Sequence, residues 1–199
     1  MTKREYFDDM AREIREVWFK DHKATLITDT PDVKVIGWQA PGTWIYGMRF
    51  ILHRRWLTVL GDLGEAVFEW SSDLDLEFLS TLNFGYFAGK CRASESGREF
   101  TTFDADVLKT ELEQYIKEAN EEDRERLTEM RDSVGSDCDK DEWRQEIREA
   151  YENGLLADSE EASIVCSLGE VPDGHAIAHW VGIKMAAKQL LNPEVACPR

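Results

Sequence analysis

The chain has 199 residues, of which 42% are hydrophobic, and its formal net charge is −16. That apolar content supplies a core and excludes a disordered chain, while 40 acids against 24 bases argue against direct nucleic-acid binding or attraction to an anionic membrane. The imbalance is local: residues 104–161 hold 21 acids and 8 bases, whereas residues 1–103 carry −3 and residues 162–199 are neutral.

Residues 3–20 read as an amphipathic helix, with Tyr6, Phe7, Met10, Ile14, Val17 and Trp18 expected on one face. Thr2 and Glu5 have the spacing of a capping box. The apolar run Trp44–Leu60 contains Arg49, His53, Arg54 and Arg55, so it cannot span a bilayer.

β-branched and aromatic residues dominate residues 24–71, and turn signals recur every eight to ten residues. Strands are expected at 24–28, 33–39, 44–53, 56–61 and 65–71. Short connections predict an antiparallel meander of four or five strands. Gly61-Asp62-Leu63-Gly64 lacks the lysine of a phosphate loop and reads as a turn.

From Asp73 the pattern turns helical, with Leu76, Leu79, Leu82, Tyr86 and Phe87 on one face and Gly85 and Gly89 weakening the helix. Residues 94–102, including Ser94-Glu95-Ser96-Gly97, read as a loop. Asp104, Asn120 and Asp139 are expected helix caps within the acidic segment, and Gly154 a helix stop. The last helix, Asp173 to Asn192, is apolar nearly all round and is expected to be buried against the sheet. The expected fold is α+β: one domain spanning 1–199, with the sheet packed on the N- and C-terminal helices and an outer layer of acidic helices at 104–161.

The local motifs for chemistry are thin. His175 and His179 stand four apart on the last helix, as two metal ligands do, but no third ligand follows. Asp137, Asp139 and Asp141 alternate as in a calcium loop, yet Glu142 stands where that loop needs glycine and Arg148 where it needs a bidentate glutamate. Cys91 lies between Lys90 and Arg92, which would favour its thiolate. Cys91, Cys138, Cys166 and Cys197 match no zinc or disulfide framework, and MTKREYFDDM lacks the apolar stretch of a signal peptide, so a reducing cytoplasm is expected. No motif predicts a cofactor, and a binding protein is expected rather than an enzyme.

Two surfaces remain. The acidic segment can imitate the charge of DNA, about one charge per 1.7 Å of duplex axis, and dock on a basic protein surface. Alternatively, Arg49, His53, Arg54, Arg55 and Trp56, with Trp38, Trp44 and Trp70 nearby, would suit a nucleotide or another small anion. A homodimer is compatible with either.

Three stretches, Trp56–Trp70, Asn83–Cys91 and Ala178–Ala186, resemble a group of small bacteriophage and prophage proteins with no assigned activity. The resemblance implies a phage-encoded protein acting in bacterial cytoplasm. Small acidic phage proteins often inhibit host defence, in the manner of anti-CRISPR or anti-restriction proteins, so the implied partner is a host protein with a basic nucleic-acid-binding surface. Glu118, Glu121, Glu122, Asp123, Glu125, Glu129 and Asp132 are then the expected contact residues. A phage structural accessory is a further alternative.

Overall fold

The structure is a computed structural model, and it describes all residues except 96–99, 120, 136–137, 155, 157–158 and 193–199; the side chain of Glu122 is also outside the description. The expected cap Asn120, the loop residues Ser96 and Gly97, Asp137 of the alternating aspartates, and Cys197 therefore lie outside the described residues. The fold is α+β, and the chain divides into two compact units: Met1–Asp8 with Thr101–Pro172, and Asp9–Phe100 with Asp173–Arg199. No described helix is long and apolar enough to cross a membrane.

The second unit is built on a six-stranded antiparallel meander: β1 (Lys23–Asp29), β2 (Val33–Gln39), β3 (Met48–His53), β4 (Trp56–Gly61), β5 (Ala66–Glu69) and β6 (Cys91–Ser94). Period-two alternation sets which face each side chain takes. Met48, Phe50 and Leu52 are buried on β3, while Arg49 and His53 on the alternate positions are exposed. The sixth strand, Cys91–Ser94, meets the predicted loop 94–102 only at Ser94 and otherwise follows the helical stretch, because residues of unremarkable propensity pair with β5 once the chain returns to it.

The long helix α8 (Gly174–Leu191) packs against β1 and β2 and lies close to β3. Gly182 makes this approach possible: a Cβ there would stand 2.5 Å from Met48 Cε and 3.2 Å from Phe50 Cζ. The side chain of Gln189 joins helix to sheet edge, accepting from Ala24 N at 3.0 Å and donating to the His22 oxygen at 3.2 Å. Between β5 and β6 run two short helices, α2 (Leu76–Thr81) and α3 (Phe84–Ala88), capped by the side chains of Asp75 and Asn83.

The first helix departs from its expected pattern. It is α-helical as α1 (Lys3–Glu13) and becomes a π turn over Ile14–Trp18, closed by an i→i+5 bond from Phe19 N to Ile14 O at 2.8 Å. The wide turn brings Ile14 and Phe19, five residues apart, into the core together. Val17, expected inside, is 66% exposed as a result. Trp18 is half-buried, stacked on Tyr46 with ring centroids 4.9 Å apart.

The first unit holds the two-stranded ribbon of β7 (Thr101–Phe103) and β8 (Glu170–Pro172), and four helices: α4 (Ala105–Glu118), α5 (Glu121–Ser133), α6 (Lys140–Glu152) and α7 (Ser159–Cys166). Leu108, Leu112, Ile116, Leu127, Trp143, Ile147 and Val165 contribute to one shared core. Local side-chain bonds set the helix starts. Asp104 accepts from Val107 N, and Asp139 forms a capping box with Glu142. The expected Thr2–Glu5 box also forms, with Thr2 N donating to Glu5 at 2.8 Å.

Candidate functional site: the acidic face of α5 and the basic edge of the sheet

α5 contains Glu121, Glu122, Asp123, Glu125, Glu129 and Asp132 beside Arg124, Arg126 and Arg131. At about 100° per residue, Glu121, Glu125, Glu129 and Asp132 fall within an arc of about 80°. Leu127 and Met130 are buried on the opposite side, in the core of the first unit. The four acids are therefore solvent-facing by the same amphipathic logic that folds the helix. Glu118, in the last turn of α4, is exposed as well.

The three arginines of α5 are turned to partners within the unit. Arg124 donates to the Ile116 oxygen at 3.3 Å and the Ala119 oxygen at 3.1 Å, satisfying carbonyls at the end of α4. Arg126 pairs with Asp123 at 2.8 Å and reaches Glu161 at 3.7 Å. Arg131 pairs with Asp132 at 2.6 Å. Asp123 and Asp132 are thus neutralised within the unit, whereas Glu118, Glu121, Glu125 and Glu129 form no ion pair among the described residues. Glu121, Glu125 and Glu129 repeat about every 6 Å of helix axis. That is near two phosphate steps of one DNA strand, at ~3.4 Å each.

The basic residues of the sheet are more dispersed than their sequence spacing implies. Arg49 and His53 are both exposed on β3, four residues apart, or about 13 Å. Arg49 lies over the Trp44 ring at 5.9 Å. Arg54 sits in the β3–β4 turn at φ 54° and pairs with Asp32 at 3.4 Å. Arg55 is 2.8 Å from Glu69 and covers the Trp56 ring at 5.8 Å. Arg92 also reaches Glu69, at 3.1 Å. Trp38 and Trp70 are buried in the core and do not wall this edge. Glu69, a residue the sequence reading did not single out, is the acid that balances Arg55 and Arg92; the cross-strand register Trp56↔Glu69 brings it there.

His175 is exposed and His179 is buried, so their imidazoles do not open to one site. Among the described residues no group of three or more His, Cys, Asp or Glu is arranged to hold a metal ion. The carboxylate of Asp139 accepts from Asp141 N and Glu142 N at 2.8 and 2.9 Å, which is helix capping. Cys91 is half-buried on β6, and Cys91, Cys138 and Cys166 stand as thiols.

Compared with models of protein families, with curated proteins and with solved structures, the chain matches none.

Proposed function

We propose that the chain is a binding protein whose acidic face, Glu118, Glu121, Glu125 and Glu129, docks on a basic nucleic-acid-binding surface of another protein. The observation that carries this reading is the asymmetry of α5: its arginines are bound internally while three glutamates stand outward and unpaired in one stripe. Such a stripe competes for a site that reads phosphate charge, and long-range attraction accelerates the encounter. The resemblance to phage proteins adds the context: a phage-encoded inhibitor of a host defence or nucleic-acid-handling complex.

The test is an affinity capture from bacterial lysate with the tagged chain, washed at low and at high salt. A nucleic-acid-binding complex retained at low salt and released at high salt is expected. The variant E118K/E121K/E125K/E129K loses that complex with little change in melting temperature, because all four side chains are exposed. Undiminished capture by this variant overturns the reading.

A further inference from the structure

The second unit contains a concentration of positive charge that the net charge conceals. On α8, Trp180, Lys184 and Lys188 recur every four residues, and Val181 and Met185 stand beside them. Arg15 comes from the π turn. These six residues line a cavity of about 160 Å³. Among the described residues the lining contains no acid, and Arg15, Lys184 and Lys188 form no ion pair. In a chain with 40 acids and 24 bases, three bases around one cavity with no carboxylate among the described residues are unexpected by composition.

The arrangement is held in place. Lys184 is half-buried, its Nζ donates to the Leu82 oxygen at 2.6 Å, and it lies 4.4 Å above the Trp180 ring. Trp180 Nε1 donates to the same oxygen at 2.8 Å, which fixes the indole as a wall. An ammonium group has three donors, and the Leu82 oxygen accepts one of them. Burial, then the charges of Lys188 and Arg15, push the Lys184 pKa below its ordinary value. Like charges four apart on a helix destabilise it, so the cluster costs stability until an anion is shared among the three. Arg15 adjoins Ile14, the residue whose oxygen closes the π turn, and turns of this type are frequent at functional sites.

We propose that this cavity binds a small dianionic oxyanion of the phosphate type, either the free ion or the phosphate group of a monoester, through Arg15, Lys184 and Lys188. Three cationic groups more than offset the charge of about −1.5 to −2 that a phosphate group carries near neutral pH. The guanidinium fork of Arg15 suits paired phosphate oxygens. A cavity of about 160 Å³ admits the phosphate group and excludes a whole drug-sized ligand, which needs ~300 Å³ or more. The site belongs to the second unit and does not rest on the acidic face of α5.

The experiment is thermal unfolding of the full chain while inorganic phosphate, or in a second arm phenyl phosphate, replaces chloride at constant ionic strength. A saturable rise in melting temperature is expected with at least one of them. A larger rise with phenyl phosphate identifies a monoester, and a larger rise with inorganic phosphate identifies the free ion. R15Q/K188Q alters two exposed side chains; it weakens phosphate at least tenfold and, in phosphate-free buffer, melts no lower than the wild type because a repulsion is gone. No saturable rise beyond that in chloride, an equal rise in the double variant, or a lower melting temperature of that variant without phosphate each overturns the proposal.

Discussion

The Nε2 of His179 lies 3.0 Å from the main-chain oxygen of Leu63, joining α8 to the β4–β5 turn. Both residues are buried, and Nδ1 of His179 has no partner. A carbonyl oxygen only accepts, so Nε2 carries a proton, and burial with no acceptor at Nδ1 favours the neutral ring. Burial lowers the pKa from 6.5 to about 4, against the smaller opposing effect of the Leu63 carbonyl. The unfolded chain therefore takes up a proton that the native state resists. Stability is complete above pH 6.5 and is lost as pH falls toward 4. At ~1.4 kcal/mol per unit, the loss from this group between pH 7.5 and 4.5 is on the order of 2–3 kcal/mol. His22 is shifted in the same direction by its own burial, so the wild-type curve alone is not diagnostic. Urea unfolding of the wild type and H179Q at the two pH values isolates His179; parallel pH dependence in the two proteins contradicts its assignment as a buried neutral ring.

Gly61 is the tightest backbone approach in the sheet. A Cβ there would stand 2.2 Å from the Gly47 oxygen and 2.8 Å from Met48 Cα. Neither atom belongs to a flexible side chain, so G61A must disturb the β3–β4 ladder, and a loss of about 3 kcal/mol or more is expected. Gly42 has φ 77° with open space around it. G42A carries only the conformational penalty, about 1 kcal/mol. Denaturant midpoints of the two variants give the ranking, and equal losses would show that the contact at Gly61 is easily relieved.

Trp143 anchors the first unit. It is fully buried, and its Nε1 donates to the Val165 oxygen at 3.1 Å, tying α6 to α7. W143F leaves that carbonyl without its donor and a space beside the smaller ring. The expected cost is about 2–4 kcal/mol. Equilibrium unfolding measures it, and a change below about 0.5 kcal/mol would mean that the indole bond and its packing are dispensable.

Asp139 starts α6 through its capping box with Glu142. D139A should cost about 1 kcal/mol, and D139N much less, since asparagine also accepts the exposed backbone donors. The carboxylate is committed to Asp141 N and Glu142 N, so millimolar calcium should leave the wild-type melting temperature unchanged. A calcium-dependent rise that D139N abolishes would reassign Asp139 from capping to ligation.

The sequence by itself determined whatever depends on neighbours a few residues apart. Alternation on β3 buries Met48, Phe50 and Leu52 and exposes Arg49 and His53, as their order predicts. The caps at Thr2, Asp104 and Asp139 are legible because each bond spans three residues or fewer. The acidity of this helix is legible as well, but its outward stripe of Glu121, Glu125 and Glu129 shows only once Leu127 and Met130 are placed in the core.

Tertiary structure decided the rest. A regular 3.6-residue period places Val17 inside; the core instead takes Phe19, whose ring stands edge-on to Trp38 with centroids 5.7 Å apart, and the backbone widens to a π turn to allow it. Strand register, not composition, brings Glu69 to Arg55 and thins the basic cluster. Arg15 meets Lys184 and Lys188 across more than 160 residues of sequence, through the packing of α8 beside the π turn. Local hydrogen bonds and periodicity are written in adjacent residues, whereas these juxtapositions arise only when distant apolar faces are buried together and carry their charged neighbours with them.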